Sequence, residues 1–239
     1  MIDINSVPKF IINLDNRPDR WNHIVKEFEY MEWEYHRFPG INTGSHVGCA
    51  KSHMAVALLG IEKNLDYLMV CEDDIFFLPH AKQHLEDCLK ALDKVEWDMF
   101  HLAPSLHRPL KMDRNDCLIS LRDVPPKEEK HTKIYGLSAV IYKKSLLSEV
   151  LKWPLVFKEW NNDGMMQAID TFFSDYIYPN FNCFCGNLPI VTQIADPSTI
   201  NRGQVIDNHY LMTYNWKLYA NKNLPQRLMD YGYCKKNRQ

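Results

Sequence analysis

The residues best suited to chemistry in this sequence begin with Glu72-Asp73-Asp74. The three carboxylates close an apolar run, Asp66-Tyr-Leu-Met-Val-Cys71, and lead into Ile75-Phe-Phe77. Like charges repel and burial penalises each, so such a triplet either sits on a solvated loop or serves a site that needs negative oxygen. At the C-terminal edge of a parallel strand, where open α/β sheets bind ligands, carboxylates hold a hard divalent cation that carries phosphates. An oxygen-only set favours Mn²⁺ or Mg²⁺ over zinc, with Asp74 as the expected metal ligand, helped by Glu72 or Asp73. Asn13, Arg17 and Arg20 form a second group at a strand-to-helix turn. An arginine pair there can clamp a diphosphate by bidentate contacts or simply solvate the first helical turn. Ser52-His53 falls inside a helix, where a histidine is more often packed or capping, or can orient a carboxylate of the triplet. Asp170 lies between Ala168-Ile169 and Thr171-Phe-Phe173, an apolar setting that raises a carboxyl pKa. Asp163, in Asn161-Asn-Asp-Gly, is its rival, although that string is also an ordinary turn.

The elements that must position these groups alternate. Val7 to Leu14 reads as a buried strand. Pro18 opens a helix to about Met31, with Trp21, Ile24, Val25 and Phe28 on one face. Glu32 to Phe38 suggests a second strand, and Val47 to about Lys63 a helix of small and apolar residues. Asp66 to Cys71 is a third strand. A helix after Pro79 carries Leu85, Cys88, Leu89 and Leu92 at i, i+3, i+4 and i+7. Trp97 to Ala103 is a strand, and residues 104 to 133 are a long loop with one short strand, Cys117 to Leu121. Ile134 to Tyr142 reads as one strong strand and Lys143 to Lys152 as a helix. The alternation argues an α/β fold with a mostly parallel central sheet flanked by helices.

Composition sets the outer limits. The chain has 239 residues, 46% hydrophobic and 24% charged, with 9 Gly and 13 Pro, which excludes disorder and low-complexity classes. A net charge of −2 gives no electrostatic support for non-specific nucleic-acid binding. No apolar run is long enough for a transmembrane helix, and the start lacks the basic-then-apolar pattern of a secretory signal; a soluble, cytoplasmic protein is expected. Seven cysteines, an odd and scattered set, fit reduced thiols, and Cys183-Phe-Cys185 has the wrong spacing for a zinc knuckle.

Several blocks, in order, resemble glycosyltransferase family 25, which includes lipooligosaccharide and collagen galactosyltransferases, within the GT-A superfamily. They are Phe10-Ile-Ile-Asn-Leu-Asp-Asn-Arg-Pro-Asp-Arg20, Gly48-Cys-Ala-Lys-Ser-His53, Tyr67 to Ile75, Trp97-Asp-Met-Phe-His-Leu102, Ile134 to Leu147 and Ile169-Asp170. Lys51 departs from the family's usual apolar residue, and the Pro189 to Gln193 and Pro197 to Ile200 stretch follows its ending only loosely. The resemblance implies a single GT-A-like domain over 1–239. Residues to about 103 would bind the nucleotide sugar, and those from 104 the acceptor. It implies transfer of a hexose, galactose or glucose, from a UDP-sugar donor to a hydroxyl of a glycan, lipooligosaccharide or protein side chain. The transfer would be metal-dependent and inverting, with Asn13, Leu14, Arg17, Arg20, Ser52, His53, Glu72 and Asp73 at the donor. An inverting transfer needs one general base to deprotonate the acceptor, and Asp170 is the first choice over Asp163. Two other readings stay open: a degenerate sugar-nucleotide-binding protein, and a metal-dependent phosphohydrolase or nucleotidyltransferase using the same acidic edge.

Overall fold

Strand β1 (Lys9–Asn13) is nearly all buried and sits between β2 and β3 in the main sheet. The computed structural model describes residues 2–102, 104–106, 117–122, 134–155 and 168–194. Asp163 and the 197–200 stretch lie outside the described residues. After β1 come α1 (Pro18–Met31), β2 (His36–Pro39), α2 (His46–Glu62), β3 (Tyr67–Glu72), β4 (Ile75–Phe77) and α3 (Ala81–Leu92). Then follow β5 (Met99–His101), β6 (Ser105–Leu106), β7 (Leu118–Ser120), β8 (Ile134–Tyr135), β9 (Ala139–Lys143) and α4 (Lys144–Val150). A short helix α5 (Ile169–Phe172) runs into a π-helical stretch (Phe173–Ile177) and α6 (Tyr178–Asn180), before β10 (Cys183–Gly186) and β11 (Val191–Gln193).

Seven strands form one sheet in the order β2-β1-β3-β9-β5-β10-β7. β1 is parallel to β2 and β3, and β5 is parallel to β10. β9 is antiparallel to both β3 and β5, and β7 is antiparallel to β10. Five strands therefore point one way and two the other, the mostly parallel sheet expected from the sequence. Alternate side chains along each strand reach opposite faces. On one face Phe10, Leu68, Val70, Val140 and Tyr142 pack with residues of α2, α4 and the 169–178 stretch; on the other Ile11, Met69, Cys71, Phe100 and Ile141 pack with α1 and α3.

The helices follow from their sequences. Pro18, pre-set for helical φ, opens α1, and Ile24, Phe28 and Met31 are its buried stripe. Phe28 meets Trp33, Tyr35 and Phe77 edge-on, so its truncation to Ala would remove about 3–5 kcal/mol of core stability. The Ser45 side chain caps α2 by accepting from the Val47 N–H. Small residues let α2 lie close to its neighbours: a Cβ on Gly60 would stand 2.9 Å from Leu68 and 3.0 Å from Leu147.

Three elements differ from the sequence expectation, the first being β6, which the sequence reads as loop and which pairs with β8. Glu32 takes a left-handed conformation (φ 61°) that ends α1, and the Trp33 N–H returns to the Phe28 carbonyl, so Trp33 is a core residue and the strand starts only at His36. Ile134 to Tyr142 is two strands, because Gly136 (φ +81°) breaks the run and sends β8 to pair with β6 while β9 enters the main sheet.

Candidate active site

The acidic triplet stands where two adjacent parallel strands end. β1 finishes at Asn13 and β3 at Glu72, with Ile12 opposite Glu72 in the register. Beyond Glu72 the chain leaves the sheet, because β4 pairs with β11 in a separate ribbon and the Ile194 N–H closes on the Asp74 carbonyl at 2.8 Å. Asp73 and Asp74 thus occupy a tight turn and are 6% and 9% exposed, so the solvated-loop alternative does not describe them.

Their charge is managed by specific partners. Arg20, on the first turn of α1, donates from Nη1 to Asp73 Oδ1 (3.1 Å) and Asp74 Oδ2 (3.2 Å). The Asn13 amide donates to Asp73 Oδ2 at 2.7 Å and the Gln193 amide to Asp74 Oδ1 at 3.1 Å. All four oxygens of the pair are therefore accepting. Burial still pushes Asp73 up against the pull of Asn13 and Arg20. Asp74 rises to about 7, through burial and then the nearby Glu72 charge, with Arg20 opposing both. Glu72 differs: burial raises it, but the His53 hydrogen bond and charge, Cys49 and Arg20 together hold it below the usual carboxylate range. Its Oε1 accepts from Cys49 Sγ (3.3 Å) and lies 3.4 Å from His53 Nε2.

These groups border a cavity of about 470 Å³. One wall is Glu72, Asp73, Asp74, Arg17 and Arg20, with Leu14 beside them; another is the loop from Thr43 to Ser45 and the first residue of α2, His46. Asp170, in the first turn of α5, faces the same space with Gly136 and Leu137. Its carboxylate accepts from the Thr171 N–H (2.8 Å) and the Gly136 N–H (3.4 Å). Burial raises its pKa over the opposing pull of those two amides. Residues near 15, 72 and 170 in sequence are brought to one space, as a site built from both halves of the chain requires.

Not every expected donor contact reaches the cavity. Asn13 is 1% exposed and does not line it; besides Asp73, its amide donates to the Arg17 carbonyl, and its Oδ1 accepts from Arg37. His53, also 1% exposed, lies behind the wall against Glu72. Ser52 does line it, and its hydroxyl holds the preceding loop by accepting from the Ile41 N–H at 2.8 Å. Arg17 lines it too, with its guanidinium gripping Asp19 at 2.7 Å. Sequence reasoning did not single out Cys49, Arg37 or the capped start of α2. Cys49 had a usable signal, its i, i+4 spacing to His53. Arg37, in an edge strand, had none. The carboxylates suit a hard cation by donor type, and at Asp74 such an ion would take over oxygens that Arg20 and Gln193 now hold.

A glycosyltransferase family 25 (LPS biosynthesis protein) model matches residues 43–135. That stretch carries α2, the acidic triplet and β5. A "Putative glycosyltransferase" of Haemophilus influenzae is 22% identical over 193 residues, covering 71% of this chain. The chain spans 64% of that relative's length. Both matches support the family 25 resemblance of the sequence blocks. Among solved structures, a glycosyltransferase involved in the glycosylation of the major capsid of PBCV-1 aligns with 9% identity and a TM-score of 0.44, over 75% of this chain and 80% of that one. A protein titled mannose-1-phosphate geranyltransferase, from Thermus thermophilus, aligns with 8% identity and a TM-score of 0.38, over 77% and 74%. Likenesses this loose carry neither fold nor function across. No helix among the described residues is long and apolar enough to cross a membrane.

Proposed function

We propose that this protein is a glycosyltransferase that moves a hexose from a UDP-sugar to a hydroxyl acceptor, with inversion at the anomeric carbon. The observation that carries the reading is a single cavity in which two arginines and a carboxylate cluster face a separate, half-buried carboxylate, Asp170. The diphosphate would lie between Arg17, Arg20 and the N-terminal end of α2, where the positive end of the helix dipole favours anions. Mn²⁺ or Mg²⁺, held by Asp74 and Glu72, would supply positive charge to the departing diphosphate. Asp170 would take the acceptor proton. Its raised pKa makes it a better base than an exposed carboxylate, and its two amide donors fix its direction. The apolar wall from Leu137 and Ile169 would keep water from the reacting carbon. The residues of the first half would bind donor and those of the second half acceptor, in one domain.

The deciding experiment is a screen of UDP- and GDP-sugars for slow donor hydrolysis with Mn²⁺ present. Release of UDP from one UDP-hexose is the expected result. Release of phosphate or pyrophosphate instead would replace the transferase with a phosphohydrolase or nucleotidyltransferase. No turnover, with metal-dependent UDP binding still seen by calorimetry, would leave a degenerate sugar-nucleotide-binding protein.

A further inference from the structure

We infer that Cys49, His53 and Glu72 form a binding site for a thiophilic divalent cation of the Zn²⁺ class, separate from the hard-cation position at Asp74. Cys49 and His53 are one turn apart on α2 and project to the same side, toward the last residue of β3. One ligand atom from each of the three lies within 4.8 Å of the other two. Cys49 Sγ is 3.3 Å and His53 Nε2 3.4 Å from Glu72 Oε1. A tetrahedral ion with metal–sulfur bonds near 2.3 Å and metal–nitrogen or oxygen bonds near 2.0 Å spaces its ligand atoms about 3.3–3.5 Å apart. The two measured separations already match that spacing.

The arrangement also leaves a polar atom unmet. His53 is 1% exposed and its Nδ1 has no hydrogen-bond partner. With the proton on Nε2, the ring donates to Glu72 and Nδ1 is a bare buried acceptor. With the proton on Nδ1, the Nε2 lone pair faces a carboxylate oxygen. A cation bound by Nε2, Sγ and the carboxylate removes that second conflict and fixes the Nδ1–H tautomer, although Nδ1 itself stays without a partner. Binding would release the Cys49 thiol proton to solvent and form three metal–ligand bonds, with no change of oxidation state. Thiolate, imidazole and one carboxylate are a borderline-soft set, which Zn²⁺ or Co²⁺ fills better than Mg²⁺. Cys49 and Glu72 line the cavity, so a fourth position would open toward it. Glu72 would be shared, with Oε1 on this ion beside Cys49 and His53 and Oε2 left for the hard cation at Asp74.

The test uses Co²⁺ as a spectroscopic probe on the full-length protein in reducing buffer, with no sugar donor present. The expected result is a near-ultraviolet thiolate-to-cobalt band with visible bands of four-coordinate Co²⁺, abolished by stoichiometric Zn²⁺. Cys49→Ser should lose the thiolate band, and His53→Gln should lose the visible bands at the same Co²⁺ concentration. Thermal unfolding of each variant confirms that it folds; should His53→Gln fail to, Cys49→Ser alone decides. A wild-type protein without the bands, or bands that persist in Cys49→Ser, would overturn the site. Donor hydrolysis is measured independently, so bands without turnover reject only the transferase reading, and turnover without bands rejects only this site.

Discussion

The two ends of the cavity bury carboxylates in opposite ways. At one end, every oxygen of Asp73 and Asp74 accepts from Arg20, Asn13 or Gln193. At the other, Asp170 has two backbone amides and, among the described residues, no paired cation. Burial raises all three, yet the environments differ in what a proton would do. Protonating Asp73 or Asp74 weakens a pair with a guanidinium, whereas protonating Asp170 disturbs only two neutral donors. The first arrangement manages standing charge and suits a diphosphate leaving group. The second suits a group that gains and loses a proton during each turnover.

The sharpest way to break this contrast is Asp74→Asn. Metal-dependent donor binding and transfer should both disappear, as they should for the wild type in EDTA, with activity restored by Mn²⁺ or Mg²⁺. Wild-type transfer by the variant in Mn²⁺, or undiminished turnover in chelator, would show that Arg20 and its neighbours stabilise the leaving group unaided. Next in size is Asp170→Asn, which should slow transfer by roughly 10²–10⁴-fold while donor affinity stays unchanged. Equal losses in rate and affinity would make Asp170 a donor contact, and no loss in either would pass the base role elsewhere.

A smaller effect is expected from Arg17→Ala, a weakening of UDP binding by about 1 to 3 kcal/mol. An unchanged dissociation constant would confine Arg17 to its Asp19 pairing. The last expectation concerns acid stability behind the Asp170 end. His101 is fully buried, its Nε2 lies 2.7 Å from the Gly136 carbonyl, and burial lowers its pKa to about 4. The unfolded chain binds that proton near pH 6.5 and the folded chain does not, so stability is complete above that pH and falls as pH drops toward 4. One such proton accounts for up to about 1.4 kcal/mol per pH unit in that window. Thermal melts of His101→Gln between pH 7 and 4 should show a shallower slope than wild type. An identical slope would mean that other groups set acid stability.

Much of the framework was legible because it rests on local pattern. The apolar run into Glu72-Asp73-Asp74 marks β3 and its functional end, Pro18 marks the start of α1, and the Leu85 to Leu92 spacing marks the buried face of α3. What escaped depends on distant residues. Nothing around Gln193 says that its amide ends on Asp74, or around Arg37 that it meets Asn13. The insertion of β9 between β3 and β5 is a matter of strand order, which alternation along one segment does not encode. Gly136 was visible, but nothing around it says that the strands on its two sides, β8 and β9, join different sheets.

That strand order governs how the molecule can be made. β5 lies between β9 and β10, both of which follow it in the chain, so Met99–His101 has no sheet neighbour when it leaves the ribosome. The free side of β3, with Met69, Val70 and Cys71 at its core, stays open until residues 139–143 are synthesised. During that interval the nascent protein presents an unpaired apolar edge, the kind of template on which chains associate wrongly. A fragment ending near residue 103 would keep that edge for good. The stretch that carries the arginines and the acidic triplet is thus tied to the later half of the chain, whose strand β9 covers the edge it leaves open.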